Sequence, residues 1–199
     1  GSHPAFFNDN NSIPALINIG FTLEQARNWC LLGCTEPIVP GLSDYQSMLG
    51  FFNTIKVFEI TLYGGKDPVT GKQIGPETGN ARDFTSIEQL KEAYLTQQAY
   101  FIKRFVGKFN RMVSAHAYTM PTLLASAFTQ GCIEKGKLLQ DKGADYRWDA
   151  MATTGLGNIA DSFTAIEECV FNKKYLTMSE LMDALECDFK DKEDIRQVL

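Results

Sequence analysis

The sequence predicts a helix-rich α/β chain, and three observations predict it. Three hydroxyl-x-x-Glu/Gln capping boxes mark helix starts, apolar residues recur at helical spacing over long stretches, and the strand candidates, residues 16–19 and 31–32, are few and short. Strands this short, contributed one at a time between helices, fit part of a larger assembly better than a self-contained domain.

In chain order, Thr22-Leu23-Glu24-Gln25 is the first capping box and opens a short helix ending near Trp29. Two prolines and two glycines between Gly33 and Gly41, both ends included, argue against regular structure there, so 30–40 is expected to be a loop fed by a short strand or turn. From Tyr45 to Leu62, Met48, Leu49, Phe52, Ile55, Phe58 and Leu62 recur at helical spacing, and Gly64-Gly65 supplies the stop. Residues 66–84 are polar and turn-rich. Thr85-Ser86-Ile87-Glu88 is the second capping box and starts a long helical pattern to about His116. A further helix is expected from Pro121 to about Lys135, closed by Gly136, and an amphipathic one after Gly155-Leu156-Gly157-Asn158 to about Phe171. Thr177-Met178-Ser179-Glu180 is the third box, opening a helix to about Cys187. Tyr146 and Trp148 flank Arg147 in what reads as a loop anchor.

Composition excludes several classes. With 44% apolar and 22% charged residues, the chain is not a disordered one. A net charge of −5 argues against a nucleic-acid binder that works through a basic surface. No apolar run reaches the roughly 18 residues of a membrane span, and the first residues do not form a secretory signal. The five cysteines, Cys30, Cys34, Cys132, Cys169 and Cys187, are odd in number and their spacing forms neither a disulfide framework nor a zinc knuckle. A reducing, cytoplasmic setting is expected, with no metal. His116 sits on a long helix and reads as structural; Gly71-Lys72-Gln73-Ile74-Gly75 lacks P-loop spacing and reads as a turn.

The feature with most chemistry is Gly33-Cys34-Thr35-Glu36-Pro37. A thiol and a carboxylate two residues apart in a tight turn can both face one cavity, with Gly33 permitting the turn and Pro37 biasing Glu36 to extended backbone. The neighbouring acid raises the thiol pKa, which disfavours thiolate attack and favours hydrogen-atom chemistry by a neutral S–H, with Glu36 as proton acceptor. The bland alternative is a buried structural cysteine beside a surface glutamate. Asp44, Ser47, Met48 and Phe51 follow the loop and are the candidate pocket residues; an apolar stretch at this spacing is more often core.

Around these residues the chain resembles the glycyl radical enzymes, the superfamily of pyruvate formate-lyase, the glycerol and diol dehydratases, choline trimethylamine-lyase and the arylacetate decarboxylases. The resemblance runs through Pro4-Ala5-Phe6-Phe7-Asn8-Asp9, Ala26-Arg27-Asn28-Trp29 and the Cys34 loop to Asn53-x-x-Lys56-Val57-x-Glu59 and Asp67-Pro68-Val69-Thr70-Gly71-Lys72-Gln73. It continues in Phe84-x-Ser86-x-Glu88-x-Leu90, Cys132-Ile133-Glu134-Lys135-Gly136, Gly157-Asn158-Ile159-Ala160-Asp161-Ser162 and Leu181-Met182-Asp183-Ala184-Leu185. It covers essentially the whole of residues 1–199 in family order.

The resemblance implies part of a β/α barrel of the glycyl radical type. It implies that Cys34 is the cysteine that becomes a thiyl radical and Glu36 the base of the members with a Cys-x-Glu loop. The adjacent cysteine pair of the formate-lyases is not matched by Cys30-Leu31-Leu32-Gly33-Cys34, and the fumarate-adding members lack the glutamate. The expected activity is therefore radical elimination, a dehydration or C–N or C–S cleavage, on a small polar substrate. Radical decarboxylation of an arylacetate and a non-catalytic, partner-binding fragment are the alternatives. The resemblance implies a protein-based glycyl radical as cofactor. Its Arg-Val-x-Gly type segment and the N-terminal half of the barrel are not in these residues, so one segment of a larger domain, inactive alone, is expected. The implied partners are the remainder of the enzyme, a radical S-adenosylmethionine activating enzyme, a small-molecule substrate and a second copy in a homodimer, with no nucleic acid and no membrane.

Overall fold

A computed structural model of the chain describes residues 7–33, 36–46 and 50–199. In chain order the helices and strands are α1 (Asp9–Asn18), α2 (Leu23–Ala26), β1 (Cys30–Leu32), β2 (Glu36–Ile38), β3 (Ser43–Gln46), β4 (Phe51–Asn53), α3 (Thr54–Leu62) and α4 (Ile87–Thr119). They continue with α5 (Leu123–Ala127), α6 (Cys132–Lys135), β5 (Tyr146–Asp149), β6 (Ala152–Thr154), α7 (Leu156–Ile166), α8 (Met178–Glu186) and α9 (Glu193–Val198). The chain divides into two compact units, the first of residues 1–50 and 108–152, the second of 51–107 and 153–199.

In the first unit the candidate strand at 16–19 proves to be the end of a helix, residues 16–18 with Ile19 as its C-cap. Ile13 and Leu16, three apart, turn toward one apolar cluster, which is helical rather than alternating spacing. Asn8 caps this helix by accepting the N–H of Asn11 at 3.1 Å. At α2 the first capping box forms as expected, with Thr22 Oγ1 accepting from Gln25 N–H and Gln25 Oε1 accepting from Thr22 N–H. That helix ends at Ala26, earlier than Trp29. Leu16, Phe21, Ala26 and Val39 form the buried cluster, flanked by Trp29, Leu42, Tyr146 and Trp148. Phe21 stacks on Tyr146 with centroids 3.8 Å apart and meets Trp148 edge-on at 5.7 Å.

Two expectations about strands need correction here. Residues 36–38 are not loop: β2 pairs antiparallel with β1, Leu31 opposite Pro37. A two-stranded antiparallel ladder leaves alternate N–H groups unused, so a proline fits at a position facing away from the partner. Residues 146–149 are not a loop anchor either: β5 pairs in parallel with β3, Asp44 opposite Arg147 and Ser43 opposite Tyr146.

In the second unit the expected helix over 45–62 is shorter. Gln46 ends β3, Gly50 takes φ +148°, 51–53 is strand β4, and the helix begins only at Thr54. Asn53 sets that start by accepting the N–H of Lys56 at 3.1 Å. The Gly64-Gly65 stop forms as a Schellman motif: Gly65 N–H donates to Ile60 C=O and Gly64 N–H to Thr61 C=O. At α4 the cap lies one residue later than expected. Ser86 Oγ accepts from Gln89 N–H and Gln89 Oε1 accepts from Thr85 N–H, so the pair is Ser86 and Gln89 rather than Thr85 and Glu88. The helix then runs unbroken past His116, which is exposed on it.

The expected helix over 121–135 is two short helices, α5 and α6 in the first unit, closed by Gly136 at φ +60°. In the second unit α7 passes into a single π-helical stretch, Glu167–Asn172, with Cys169 buried. At α8 the third capping box, Thr177 and Glu180, is formed in full. Phe58, Tyr94 and Phe163 meet edge to face with centroids 5.1 to 5.8 Å apart at the centre of this unit. Arg82 ties the 3-10 turn Ala81–Asp83 to α8 through Asp183 at 2.6 Å and Glu186 at 3.0 Å.

Candidate active site

The candidate site grows from the β1–β2 hairpin. Leu32 stands opposite Glu36, so three residues, 33–35, close it. Cys34 and Thr35 lie outside the described residues, as do Ser47 and Met48. Gly33 is described and shows what the turn demands. Its φ of +63° is in the left-handed region, and a Cβ built there would stand 2.9 Å from Glu36 Oε2. The half-buried Glu36 carboxylate is therefore folded back over the residue that precedes Cys34.

The chain leaves Glu36 through a tight turn. Ser43 Oγ accepts the N–H of Val39 at 3.1 Å and donates to its C=O at 3.0 Å, while the N–H groups of Leu42 and Ser43 also donate to Val39 C=O. Gly41 C=O accepts from Gln130 N–H at 2.8 Å. Asp44, the next candidate, is only 4% exposed and sits on β3 against the Arg147 guanidinium at 3.5 Å. Arg147 is itself 15% exposed; it also reaches Asp149 at 3.5 Å and donates to Gln140 C=O at 3.3 Å.

Glu36, Asp44 and Arg147 thus belong to the first unit. Phe51 begins β4 in the second unit and is 64% exposed, whereas the adjacent Phe52 is buried, so the apolar stretch alternates rather than following one helical face.

Arg147 is the residue the sequence reading undervalued. The signal was present: Tyr146-Arg147-Trp148-Asp149 alternates aromatic and charged residues, the period-two pattern of a half-buried strand. The two aromatics reach the Phe21 cluster and the two charged residues pair with each other.

Cys132, on α6 in the same unit, is buried, and burial pushes its thiol pKa up, with the Asp44 carboxylate adding to the effect. It stays protonated at neutral pH and is no thiolate nucleophile. Among the described residues no group of three or more His, Cys, Asp or Glu is placed to hold a metal ion, and no helix is long and apolar enough to cross a membrane.

Comparison with known proteins bears on the whole length. A family model described as pyruvate formate lyase-like matches residues 1–199. Trans-4-hydroxy-L-proline dehydratase of Clostridioides difficile is 39% identical over 192 residues, which are 96% of this chain and 24% of that protein. (2S)-3-sulfopropanediol dehydratase of Klebsiella oxytoca is 32% identical over 183 residues, 92% of this chain and 22% of that protein. Among solved structures, the glycerol-bound form of the B12-independent glycerol dehydratase from Clostridium butyricum superposes with a TM-score of 0.91 at 38% identity, covering 98% of this chain and 25% of that one. The chain spans about a quarter of the length of the curated relatives it matches.

Proposed function

Because the chain belongs to the pyruvate formate lyase-like family, whose model matches all of residues 1–199, we propose that it is the cysteine-loop segment of a glycyl radical lyase that eliminates a leaving group from a small hydroxylated substrate. Its fold is a helix-rich α/β portion of the barrel found in the glycerol and hydroxyproline dehydratases it superposes on. The observation that carries the functional reading is the hairpin: a carboxylate, Glu36, folded back over Gly33, the residue that precedes Cys34 in sequence.

The chemistry follows from these groups. The protein-based glycyl radical of this family, on a residue outside 1–199, supplies the acceptor for one hydrogen atom. Cys34 fits the part of the donor, since a neutral S–H can give up a hydrogen atom to that acceptor. The Cys34 sulfur then takes a hydrogen atom from a substrate carbon bearing a hydroxyl. Glu36 accepts the hydroxyl proton, the charge released on that oxygen expels the leaving group from the neighbouring carbon, and the product radical takes the hydrogen atom back from Cys34, which restores the sulfur radical. The base must reach the same substrate as the sulfur, and a carboxylate folded back over Gly33, two residues after Cys34 in the Cys-x-Glu loop, supports that role. Asp44, Ser47, Met48 and Phe51 follow the loop in sequence and are the proposed substrate-facing residues. Exclusion of water protects the radical steps from side reactions.

Elimination is favoured over arylacetate decarboxylation because the relatives named above are dehydratases, and over a partner-binding fragment because the Cys-x-Glu pair is intact. The proposal extends to a cytoplasmic, anaerobic setting, a radical S-adenosylmethionine activating enzyme as partner, and a homodimer.

The test uses the complete enzyme. Cys34→Ser and Glu36→Gln should each accumulate the glycyl radical signal on activation, by electron paramagnetic resonance, yet lose turnover by about a hundredfold or more. Full activity in Glu36→Gln would remove the base assignment, and carbon dioxide release from an arylacetate would replace elimination by decarboxylation.

A further inference from the structure

The geometry points to Arg147 as the residue that positions the Glu36 hairpin, by fixing the register of β3 on β5. The inference rests on the reading of Glu36 as the base. Three observations lead to it. The ladder between β3 and β5 is four residues long and parallel, with Ser43–Gln46 set against Tyr146–Asp149. A ladder so short is weakly specified by its backbone, since a slip of two residues keeps every side chain on its own face. Such a slip moves the strand by about 7 Å. Something on the side chains must choose the register, and the residue directly opposite Arg147 is Asp44.

That pair is built for the task. Asp44 is almost wholly buried, and its carboxylate is 3.5 Å from the guanidinium. A slip of two would set Gln46 or Leu42 where Asp44 now stands and leave a buried carboxylate without its cation. Arg147 is in turn held to its own side of the sheet by Asp149, two residues along β5, and by Gln140 C=O before it. Lysine could satisfy one of these partners but lacks the planar fork that reaches three.

The link to the chemistry is the Val39–Ser43 turn. It is closed by four hydrogen bonds onto Val39, whose side chain is buried in the Phe21 cluster. With the turn rigid, the place of β3 dictates the place of β2, and Glu36 is the first residue of β2. Arg147 acts through Asp44 and this turn; it is a positioning residue and need not touch substrate.

The experiment is a double-mutant cycle in the complete, activated enzyme, with Arg147→Gln, Asp44→Asn and the two combined. Glycyl radical content, kcat and KM are measured for each. Each single change should lower kcat about tenfold or more, the scale of a small misplacement of a reacting group, with radical content unchanged and, for Arg147→Gln, KM within about twofold. The double variant should be no worse than the weaker single one, because both changes remove the same restraint. Wild-type kcat in Arg147→Gln, or losses that multiply in the double variant, would overturn the inference. A raised KM with kcat intact would also overturn it and make Arg147 a substrate contact. Should Arg147→Gln not accumulate as folded protein, Arg147→Lys decides. Faster hydrogen exchange confined to residues 36–46, with reduced kcat, is expected, and unchanged exchange and kcat would refute the role. Glu36→Gln run alongside separates the two claims: if it stays active the base assignment fails, while the exchange readout still judges the positioning.

Discussion

Asp67 shows how a single side chain can be made dependable by its neighbours. Its carboxylate accepts from the Thr70 hydroxyl at 2.6 Å and from Thr70 N–H at 3.2 Å, and it faces the Lys56 ammonium at 2.9 Å. The Thr70 hydroxyl, then Lys56, hold the Asp67 pKa down at about 2. A group whose pKa is depressed on folding stabilises the fold above its unfolded pKa of about 3.9, and that stabilisation is lost as pH falls from there through about 2. Thr70→Val removes the larger cause, so the stability it costs should be full at pH 7 and fade as pH falls through about 2, with the acid-unfolding midpoint moved to higher pH. Circular dichroism followed from pH 5 to pH 1.5 checks this, and coincident acid transitions would mean the turn contributes nothing. At this same scale the sequence was unevenly legible. Cys34 and Glu36 could be singled out because their chemistry lies in neighbouring positions. Arg147 could not, because its partner Asp44 is a hundred residues away and only the pairing of two strands brings them together.

Helix ends were the most readable elements, since capping is local chemistry. Thr22 with Gln25, Thr177 with Glu180, and the glycine pair after α3 all act as their residue types require. Strands of three or four residues were nearly invisible. They hold at most two alternations, and Met48, Leu49, Phe52 and Ile55 match a helical stripe by coincidence of spacing, which hid β4 and the break at Gly50. The start of α4 gives a test at this scale, because Thr85 and Ser86 compete for one role. Only Ser86 presents a side-chain oxygen to the helix's own N–H groups; Thr85 offers Gln89 its backbone N–H at 2.8 Å, which alanine keeps, and a longer hydroxyl bond at 3.3 Å, which alanine loses. Ser86→Ala should therefore cost about 1 kcal/mol, and Thr85→Ala no more than a few tenths. Urea denaturation of the two variants measures the difference, and equal losses would return the cap to Thr85.

Across the molecule, the distribution of exposed apolar side chains carries the last prediction. Leu31 and Leu32 on the hairpin, Leu123 and Leu124 on α5, and Phe128 just after it are all exposed, Phe128 at 77%. Isolated exposed leucines are ordinary, but neighbouring pairs and an aromatic on one short stretch exceed what a soluble surface usually leaves open. Residues 1–199 correspond to about a quarter of each curated relative, and a barrel of that size has ample surface to cover such groups. Burying a leucine or phenylalanine side chain is worth about 1.5 to 3 kcal/mol, so a few of them together exceed the whole stability margin of many domains. Produced as a separate polypeptide, the 199 residues should self-associate and bind a hydrophobic dye, and the double change Leu124→Ser with Phe128→Ser should reduce both. Light scattering and dye fluorescence test this directly. A monodisperse, dye-silent monomer would mean that these side chains are not a covered face, and that what holds the Glu36 hairpin in place is contained within the first unit, with the Arg147 pair among its principal restraints.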